Sequence, residues 1–165
     1  MLSNDKKSEF LEAYELYADA LYKHCYFRVY EKSRAEELTQ ETFMRAWQYV
    51  SEGKEVKNMR AFLYRVLTNL IIDDSRKRKE QSLDYLIEEV GFNLPDRGDK
   101  KAEAGAVLSE IKDKMLRLNK WEREIITLRY LDGLEPKDIA EALDISPNNV
   151  SVKLNRAIKK LRKYM

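Results

Sequence analysis

The spacing of apolar residues between positions 136 and 161 constrains the fold of this chain more than any other feature. Ile139 and Leu143 are one helical turn apart, and Ile145 follows within a polar break. A second apolar row at helical spacing begins at Val150. Two short helices that cross at a tight turn bury such residues between them. The segment therefore predicts a helix-turn-helix.

Capping residues indicate where these helices begin and end. Pro136 and Pro147 fit the first positions of the two helices, and Ser146 can cap the second one. Gly133 is expected to end the preceding helix in the left-handed conformation, which glycine adopts at little cost. Asp144 stands in the turn, where aspartate tolerates the left-handed region better than most residues do.

One more helix is predicted directly before the helix-turn-helix. Asn119 and Glu122 have the spacing of a capping box, which marks a helix start. The apolar row behind this pair follows a helical period of three and four residues. It runs through Trp121, Ile125, Leu128 and Leu131.

The second helix of the pair turns a polar face outward once its apolar row is buried. Asparagine can pair with adenine through two hydrogen bonds, and lysine or arginine can bind guanine or a phosphate. Six basic residues and no acidic one lie between Lys153 and Lys163, and such a stretch attracts phosphate. The alternative is an ordinary amphipathic helix with a solvated basic face. The candidate DNA-reading residues are Asn148, Asn149, Ser151, Val152, Lys153 and Arg156.

Three further helices are predicted from apolar periodicity in the first half of the chain. The first runs from after Ser8 to about Tyr30. The second starts at another capping-box pair, Ser33 and Glu36. The third follows a short polar loop and is capped by Asn58.

His24 and Cys25 lie on or beside the apolar stripe of the first helix, and we expect a buried thiol next to an imidazole. A single cysteine excludes an internal disulfide, and a single histidine is too little to hold zinc. We therefore predict no metal and no cofactor. No paired carboxylates, nucleophile elbow or phosphate-binding loop occur in the sequence, so we predict no catalytic site and no small-molecule substrate.

Composition points to a helix-rich globular protein. Charged residues make up 36% of the chain and hydrophobic residues 44%, with only 5 glycines and 3 prolines. No apolar stretch approaches the roughly 20 residues that cross a bilayer, and no apolar core follows a basic start at the N-terminus. We expect a cytoplasmic, all-α protein of two small helical domains joined by a flexible linker.

Charge divides the chain into three parts. Residues 1–79 carry 15 basic and 13 acidic residues (+2), residues 80–105 carry 3 and 7 (−4), and residues 106–165 carry 13 and 9 (+4). Weak periodicity, one proline and three glycines predict that the middle part is a linker, with one short helix over 83–90. Two basic lobes on a tether that DNA repels suit a protein that touches two separated sites on one duplex.

Two blocks of the sequence resemble a known family. Residues 35–47 (AEELTQETFMRAW), 59–69 (MRAFLYRVLTN) and 73–76 (DDSR) are similar to region 2 of the extracytoplasmic-function (ECF) sigma factors of bacterial RNA polymerase. Residues 118–161 resemble region 4 of the same family. The resemblance implies a first domain, 1–79, that docks on core polymerase and reads and helps to melt the minus-10 element. It implies a second domain, 106–165, that reads the minus-35 element.

The resemblance also implies roles for residues of the first domain. The polar face of the second helix would dock on the polymerase clamp; alternatively, it is only a solvated face. The implied polymerase-binding residues are Glu37, Gln40, Glu41 and Met44. The loop 51–58 matches the loop that holds an unstacked base, and the third helix would offer phosphate anchors and an aromatic surface to exposed bases. The implied minus-10 residues are Lys54, Lys57, Asn58, Arg60, Tyr64, Asn69, Asp73 and Arg76.

Some alternatives stay open at this point. Tyr64 can equally be half-buried core, and the basic run 76–79 can simply complement a helix dipole. The family further implies an anti-sigma partner, which can be membrane-bound, that covers both lobes in the resting cell. A homodimeric helix-turn-helix regulator is a competing class of function, but the chain has no ligand domain. An enzyme that acts on nucleic acid is a third class, and it lacks support from metal ligands or a catalytic constellation.

Overall fold

A computed structural model describes residues 3–29, 31–81, 110 and 113–164, and their side chains except those of 79–81. These residues are helical apart from caps, turns and one loop, and no strand occurs among them. The predicted all-α fold class is confirmed. Tyr30, the expected helix over 83–90 and all of the predicted linker beyond its first two residues lie outside the described residues.

The helices fall into two groups along the chain. In order they are α1 (Asn4–Val29), α2 (Lys32–Ser51), α3 (Met59–Gln81), α4 (Lys120–Ile126), α5 (Pro136–Leu143) and α6 (Pro147–Lys163). A π-helical stretch, Thr127–Leu131, continues α4 without a break. We call α1–α3 the N-terminal lobe and α4–α6 the C-terminal lobe. In the described ranges no helix combines the length and apolarity that a membrane span requires.

The core of the N-terminal lobe forms where the apolar stripes of its three helices meet. Leu21, Leu38 and Leu63 are fully buried there. Aromatic rings close one end of this core, where the Phe10 ring lies 5.0 Å from Trp47 and 6.2 Å from Phe43 between centroids. Such aromatic pairs add about 0.5–1.5 kcal/mol to the gain from burial alone.

The first helix is longer than the apolar spacing predicts. α1 begins at Asn4, one turn before the expected start after Ser8. Residues 3–9 are exposed, so no apolar period marks them. Lysine and glutamate favour the helix there, and the charge of Asp5 in the first turn complements the helix dipole. Apolar periodicity thus reveals only the part of a helix that packs.

The capping box predicted for α2 is wrong. The helix begins at Lys32 with Glu31 in the cap position, and no side chain bonds to the free backbone amides. Ser33 therefore lies inside the first turn, and its hydroxyl donates to the Glu31 carboxylate at 3.3 Å. A start two residues earlier than expected removes Ser33 from the position in which a hydroxyl can cap.

The other predicted caps are confirmed. The Asn58 side-chain oxygen accepts a hydrogen bond from the Ala61 amide at 3.1 Å. The Ser146 hydroxyl likewise accepts from the Asn149 amide at 3.1 Å. Asn119 forms the complete, reciprocal capping box with its partner three residues later. These caps fix the starts of α3, α6 and α4.

The C-terminal lobe contains the predicted helix-turn-helix. α5 begins at Pro136, and Asp144 ends it in the left-handed conformation with φ 55°. Gly133 has φ 71° at the turn before α5, as its position predicts. Ile139 and Val150 are fully buried between the two helices. The turn therefore fixes how α6 lies on α5.

The two lobes pack against each other, an arrangement that the sequence left open. α3 lies along α5, where the Asn58 amide donates to the Asp138 carboxylate at 2.6 Å. Farther along α3, Arg65 lies 3.6 Å from Asp144 across the same boundary. The C-terminal end of α1 faces α4 through ion pairs.

Replacement of Ser146 by alanine removes the cap of α6. We expect Ser146→Ala to lower the free energy of unfolding by about 1 kcal/mol, because an amide at the helix start loses its acceptor. Urea denaturation measures this change. Ser33→Ala is the matched control, since that hydroxyl caps nothing, and we expect a change within about 0.5 kcal/mol. Equal losses in both variants would contradict the cap assignment.

Candidate nucleic-acid interface

The outer face of α6 carries the predicted DNA-reading residues, and all six are exposed: Asn148, Asn149, Ser151, Val152, Lys153 and Arg156. Val150 and Ala157 lie on the opposite side of the helix and are fully buried against α4 and α5. The core therefore holds the helix in one rotation, and the polar row faces solvent. The predicted orientation of this helix is confirmed.

A tryptophan that sequence reasoning assigned to the apolar row lies beside this face. Trp121 is 51% exposed, so its placement in the core was wrong. The Lys153 ammonium lies 5.9 Å from the centre of its ring. Together with Asn119, Glu122 and Arg156 these residues line a pocket of about 140 Å³. The capping box explains the error, because the second residue after a cap points outward while the apolar stripe starts later in α4.

The C-terminal half of α6 adds positive charge along the same edge. Lys159, Arg162 and Lys163 are exposed, whereas Lys160 is half-buried and lies 3.2 Å from the Glu122 carboxylate. Glu122 is thus held both by its capping role and by this ion pair. The exposed cations are free to attract phosphate.

The polar face of α2 is accessible, as the resemblance implied. Glu37, Gln40 and Met44 are exposed, and the Met44 side chain reaches 71% exposure. Glu41 is half-buried and lies 2.7 Å from the Arg45 guanidinium. Met44 lies one turn after Gln40 and Glu41, so this face combines polar side chains with one adaptable apolar side chain.

The loop before α3 is exposed at its basic residues. Lys54 and Lys57 are both accessible, and the Lys54 ammonium lies 3.0 Å from Glu52 and 4.9 Å from the centre of the Tyr49 ring. Asn58 is only half-buried, but its amide is engaged with Asp138 in the C-terminal lobe. Gly53 takes the left-handed conformation, φ 87°, which lets the chain turn after α2.

Tyr64 is not the exposed aromatic surface that the resemblance implied. Its side chain is fully buried, and its hydroxyl donates to the Asp132 carboxylate at 3.3 Å. Burial, followed by the charge of Asp132, raises the pKa of the Tyr64 phenol above its usual range, so the phenol stays protonated. The open alternative of a core position is correct, because the C-terminal lobe covers this part of α3.

The remaining minus-10 candidates divide at the middle of α3. Arg60, near the start of the helix, donates to the backbone carbonyl of Asp132 and is half-buried. Asn69, Asp73 and Arg76 lie farther along and are exposed. The first half of the candidate face is thus covered by the C-terminal lobe, and the second half is open.

A buried carboxylate, absent from the predicted site, anchors the exposed half of α3 to α2. Asp74 is 6% exposed and accepts from the Arg34 Nε at 2.7 Å. Arg78 reaches the same carboxylate at 3.4 Å and Glu31 at 3.1 Å. One member of the basic run 76–79 therefore has a structural partner, whereas Arg76 and Lys77 face solvent.

Buried charges join the lobes around His24, which is 1% exposed. Its Nδ1 lies 2.7 Å from Asp132, and its Nε2 lies 3.1 Å from Glu124. Arg28 forms an ion pair with the other oxygen of Glu124. Only an imidazolium, which has two N–H groups, can donate to both carboxylates at once. We call His24, Arg28, Glu124 and Asp132 the interlobe charge cluster.

The protonation states in this cluster follow from its pairing. Burial alone lowers the pKa of His24, but Glu124 and Asp132 outweigh it and raise the pKa to about 9. Burial alone raises the pKa of Glu124, but Arg28 and His24 outweigh it and lower the pKa to about 2. Both groups are therefore charged at neutral pH. The sequence predicted that His24 is buried, and its charged partners could not be foreseen because they lie about 100 residues away.

Two family models match the chain, and the relatives carry the same family name. Sigma-70 region 2 matches residues 13–81, and Sigma-70, region 4 matches residues 108–161. The ECF RNA polymerase sigma factor SigW of Bacillus subtilis is 30% identical over 167 residues, covering 94% of this chain and 88% of the relative. The ECF RNA polymerase sigma factor SigM of the same organism is 31% identical over 157 residues, covering 92% and 91%.

Two solved structures share the fold. The sigma factor RpoE of Bartonella quintana, in complex with the anti-sigma factor NepR, aligns with a TM-score of 0.72 at 23% identity, covering 94% of this chain and 96% of that one. CnrH, in complex with the cytosolic domain of CnrY, aligns with a TM-score of 0.65 at 20% identity, covering 95% and 87%. At these identities the likeness establishes the arrangement of helices.

A rise in pH from about 6.5 to about 9.5 tests the interlobe charge cluster. A histidine whose pKa is higher in the folded state contributes its full stabilisation below the unfolded pKa of 6.5 and loses it as pH rises through about 9. We expect the free energy of unfolding, measured in urea at each pH, to fall by about 2–3 kcal/mol over this range.

His24→Gln is the control, because the amide keeps hydrogen-bonding groups and has no charge to lose. We expect this variant to be less stable than the natural chain at the lower pH and to lose less stability over the range, because the remaining loss comes from groups such as the buried Cys25 thiol, whose pKa is also raised. If the free energy of unfolding of the natural chain falls no more steeply with pH than that of the variant, the charged His24 does not stabilise the fold.

Proposed function

The chain belongs to the sigma-70 family, among the ECF sigma factors, and from this premise we propose how its described surfaces select promoters. In this proposal, the C-terminal lobe reads the minus-35 element. The N-terminal lobe docks on core polymerase, and it also reads the minus-10 element and helps to melt it. The protein itself catalyses no reaction and opens DNA through binding energy alone. The observation that carries the proposal is the exposed polar row of α6 on a completely formed helix-turn-helix.

For the minus-35 element, the start of α6 enters the major groove. The helix start offers Asn148 and Asn149 to base edges, as the second helix of a helix-turn-helix does. Lys153 and Arg156, one and two turns later, bind guanine or phosphates. The basic end of α6 anchors the DNA backbone beyond them, so sequence is read at one end of the helix and affinity is gained at the other.

For the minus-10 element, the loop before α3 and the outer side of α3 bind the displaced strand. Lys54, Lys57 and Arg76 are exposed cations on this path, with Asn69 and Asp73 between them. Asn58 and Arg60 become available when the C-terminal lobe moves away, since each is held by that lobe. Tyr64 takes no part as a stacking platform unless it is uncovered in the same way.

For the polymerase, α2 presents its carboxylates and Met44. A ridge of Glu37, Gln40 and Glu41 suits a basic coiled coil on the partner, and Met44 supplies an adaptable apolar contact.

We further propose that an anti-sigma factor controls the chain, because the RpoE and CnrH structures are complexes with such proteins or parts of proteins.

Alanine at Asn149 or Lys153 tests the minus-35 surface. We expect each variant to weaken promoter binding by about 1–3 kcal/mol while affinity for core polymerase is unchanged. Fluorescence anisotropy with promoter DNA, on a promoter found by mapping transcription start sites with core enzyme, measures the loss. Lys23→Ala is the control, because that exposed side chain lies on α1 in the other lobe and belongs to no proposed DNA-binding surface. Equal binding by all three variants and the natural chain would remove these residues from the reading face.

Charge reversal at Glu41 tests the polymerase surface. Glu41→Lys places a cation in the α2 ridge and is expected to reduce assembly with core polymerase by at least about tenfold, with promoter contacts of the C-terminal lobe intact. Glu15→Lys makes the same charge change at an exposed site on α1 and controls for net charge. Co-elution with core enzyme reports assembly, and normal assembly of the Glu41 variant would contradict the docking assignment.

A further inference from the structure

Trp121 is a large aromatic side chain that the core of the C-terminal lobe does not use. The apolar row behind it in α4 is buried, with Ile125 and Leu128 inside the lobe, whereas the indole is 51% exposed. A single exposed apolar side chain is common on protein surfaces and needs no explanation by itself. The neighbours of this ring make it informative, because they are two cations of the DNA-reading row.

The indole and these cations line one pocket, which we call the α4–α6 pocket. Its walls are Asn119, Trp121 and Glu122 from the start of α4 and Lys153 and Arg156 from α6. Its volume of about 140 Å³ lies well below the roughly 300–1,000 Å³ of sites that enclose a small molecule. The pocket therefore suits one chemical group of a larger partner, such as a phosphate or a sugar.

The charge of the α4–α6 pocket favours an anion. The Glu122 carboxylate accepts from the Asn119 amide at 2.8 Å and lies 3.2 Å from the Lys160 ammonium, so capping and an ion pair already engage it. Among the described residues, Lys153 and Arg156 form no ion pair with a carboxylate. Two uncompensated cations beside an exposed ring attract a phosphate.

The position of the pocket on α6 indicates which phosphates it meets. Lys153 follows the buried Val150 by three residues, so it lies about 60° around the helix from the buried side, on the flank that faces α4. A helix about 10–12 Å in diameter fills a major groove about 12 Å wide, and its flanks then lie beside the phosphates of the two strands. With the start of α6 in the groove, the flank that carries the α4–α6 pocket faces one strand.

The ring also restrains the lysine. The Lys153 ammonium lies 5.9 Å from the centre of the indole, within the range of a cation–π interaction. A free lysine side chain loses rotamer freedom when it binds a phosphate, and a lysine that is already held loses less. The exposed indole additionally offers an apolar face to a deoxyribose and an N–H donor to a phosphate oxygen.

We propose that Trp121 is a further residue of the minus-35 surface, which contacts the sugar–phosphate backbone of one DNA strand and positions Lys153 on a phosphate of that strand. The inference rests on the proposed function and extends its DNA surface from α6 to the start of α4, outside the helix-turn-helix. Phosphate contacts carry no sequence information, so Trp121 contributes affinity and fixes the register of α6 on the duplex.

Alanine and phenylalanine at Trp121 test the contact in the complex with core polymerase, on a promoter found by start-site mapping. We expect Trp121→Ala to weaken promoter binding roughly fivefold, because the platform for Lys153 is lost. The loss is expected to be the same on promoters that carry single base changes in the minus-35 element. Trp121→Phe keeps a ring face and is expected to restore most of the affinity.

Tyr130→Ala is the matched control. Tyr130 is an exposed aromatic residue of the same lobe, with 59% of its surface accessible, and belongs to no proposed DNA-binding surface. We expect its replacement to leave promoter binding unchanged. Urea denaturation of each variant shows whether the fold is intact.

The salt dependence of promoter binding tests the positioning of Lys153. If Trp121 holds this lysine on a phosphate, Trp121→Ala lowers the slope of log K against log salt by up to about 0.9, as Lys153→Ala does. The double variant is then expected to lose less affinity than the product of the two single losses, because both changes remove one contact. A role in packing alone changes neither the slope nor this product.

Each contrary result has its own meaning. Natural affinity in Trp121→Ala would overturn the DNA contact, and a loss that depends on the minus-35 sequence would overturn its assignment to the backbone. Independent losses in the double variant, with an unchanged salt slope in Trp121→Ala, would overturn the positioning of Lys153. If the natural chain directs core polymerase to no promoter, the proposed function fails, and the inference fails with it.

Discussion

Four charged side chains at the boundary between the lobes, of which His24 and Glu124 are buried, tie the two halves of this molecule together. His24 and Arg28 on α1 face Glu124 and Asp132 from the C-terminal lobe, and the imidazolium donates to both carboxylates. Removal of such charges from water costs several kcal/mol for each ion, and that cost is met only while all partners are in place. The boundary is therefore specific, because His24 and Arg28 each need a carboxylate partner from the other lobe.

The buried apolar residues form one cluster that runs through both lobes, from Phe10 in α1 to Ala157 in α6. Leu21, Leu38 and Leu63 lie in its N-terminal part, and Ile139 and Val150 lie in its C-terminal part. The helix-turn-helix has local devices of its own, namely the left-handed Asp144 and the Ser146 cap, and α3 also packs against its first helix. The polar row of α6 is thus exposed in the packed chain, whereas Asn58, Arg60 and Tyr64 on the other proposed surface contact the C-terminal lobe.

Features encoded within one turn of helix could be predicted from the sequence, and those that depend on distant residues could not. The caps at Asn58 and Ser146 and the turn at Asp144 are confirmed, because each is a local bond or a local backbone preference. Ser33 was wrongly expected to cap, because the true cap position, Glu31, lies two residues earlier. Tyr64 was expected on the surface because the pattern of α3 contains no sign of the lobe that covers it. The role of His24 was missed for the same reason, since its carboxylates lie in the other half of the chain.

The central claim is that one chain is closed when free and spans two promoter elements when it works on polymerase. Energy transfer between dyes at Glu12→Cys on α1 and Glu141→Cys on α5, both exposed positions outside the proposed binding surfaces, measures the separation of the lobes. The account predicts efficient transfer in the free chain and its loss in the complex with core polymerase and promoter DNA, where the two elements, centred about 25 base pairs apart, lie about 85 Å apart along the duplex. The same efficient transfer in the free chain and in a transcribing complex would contradict it.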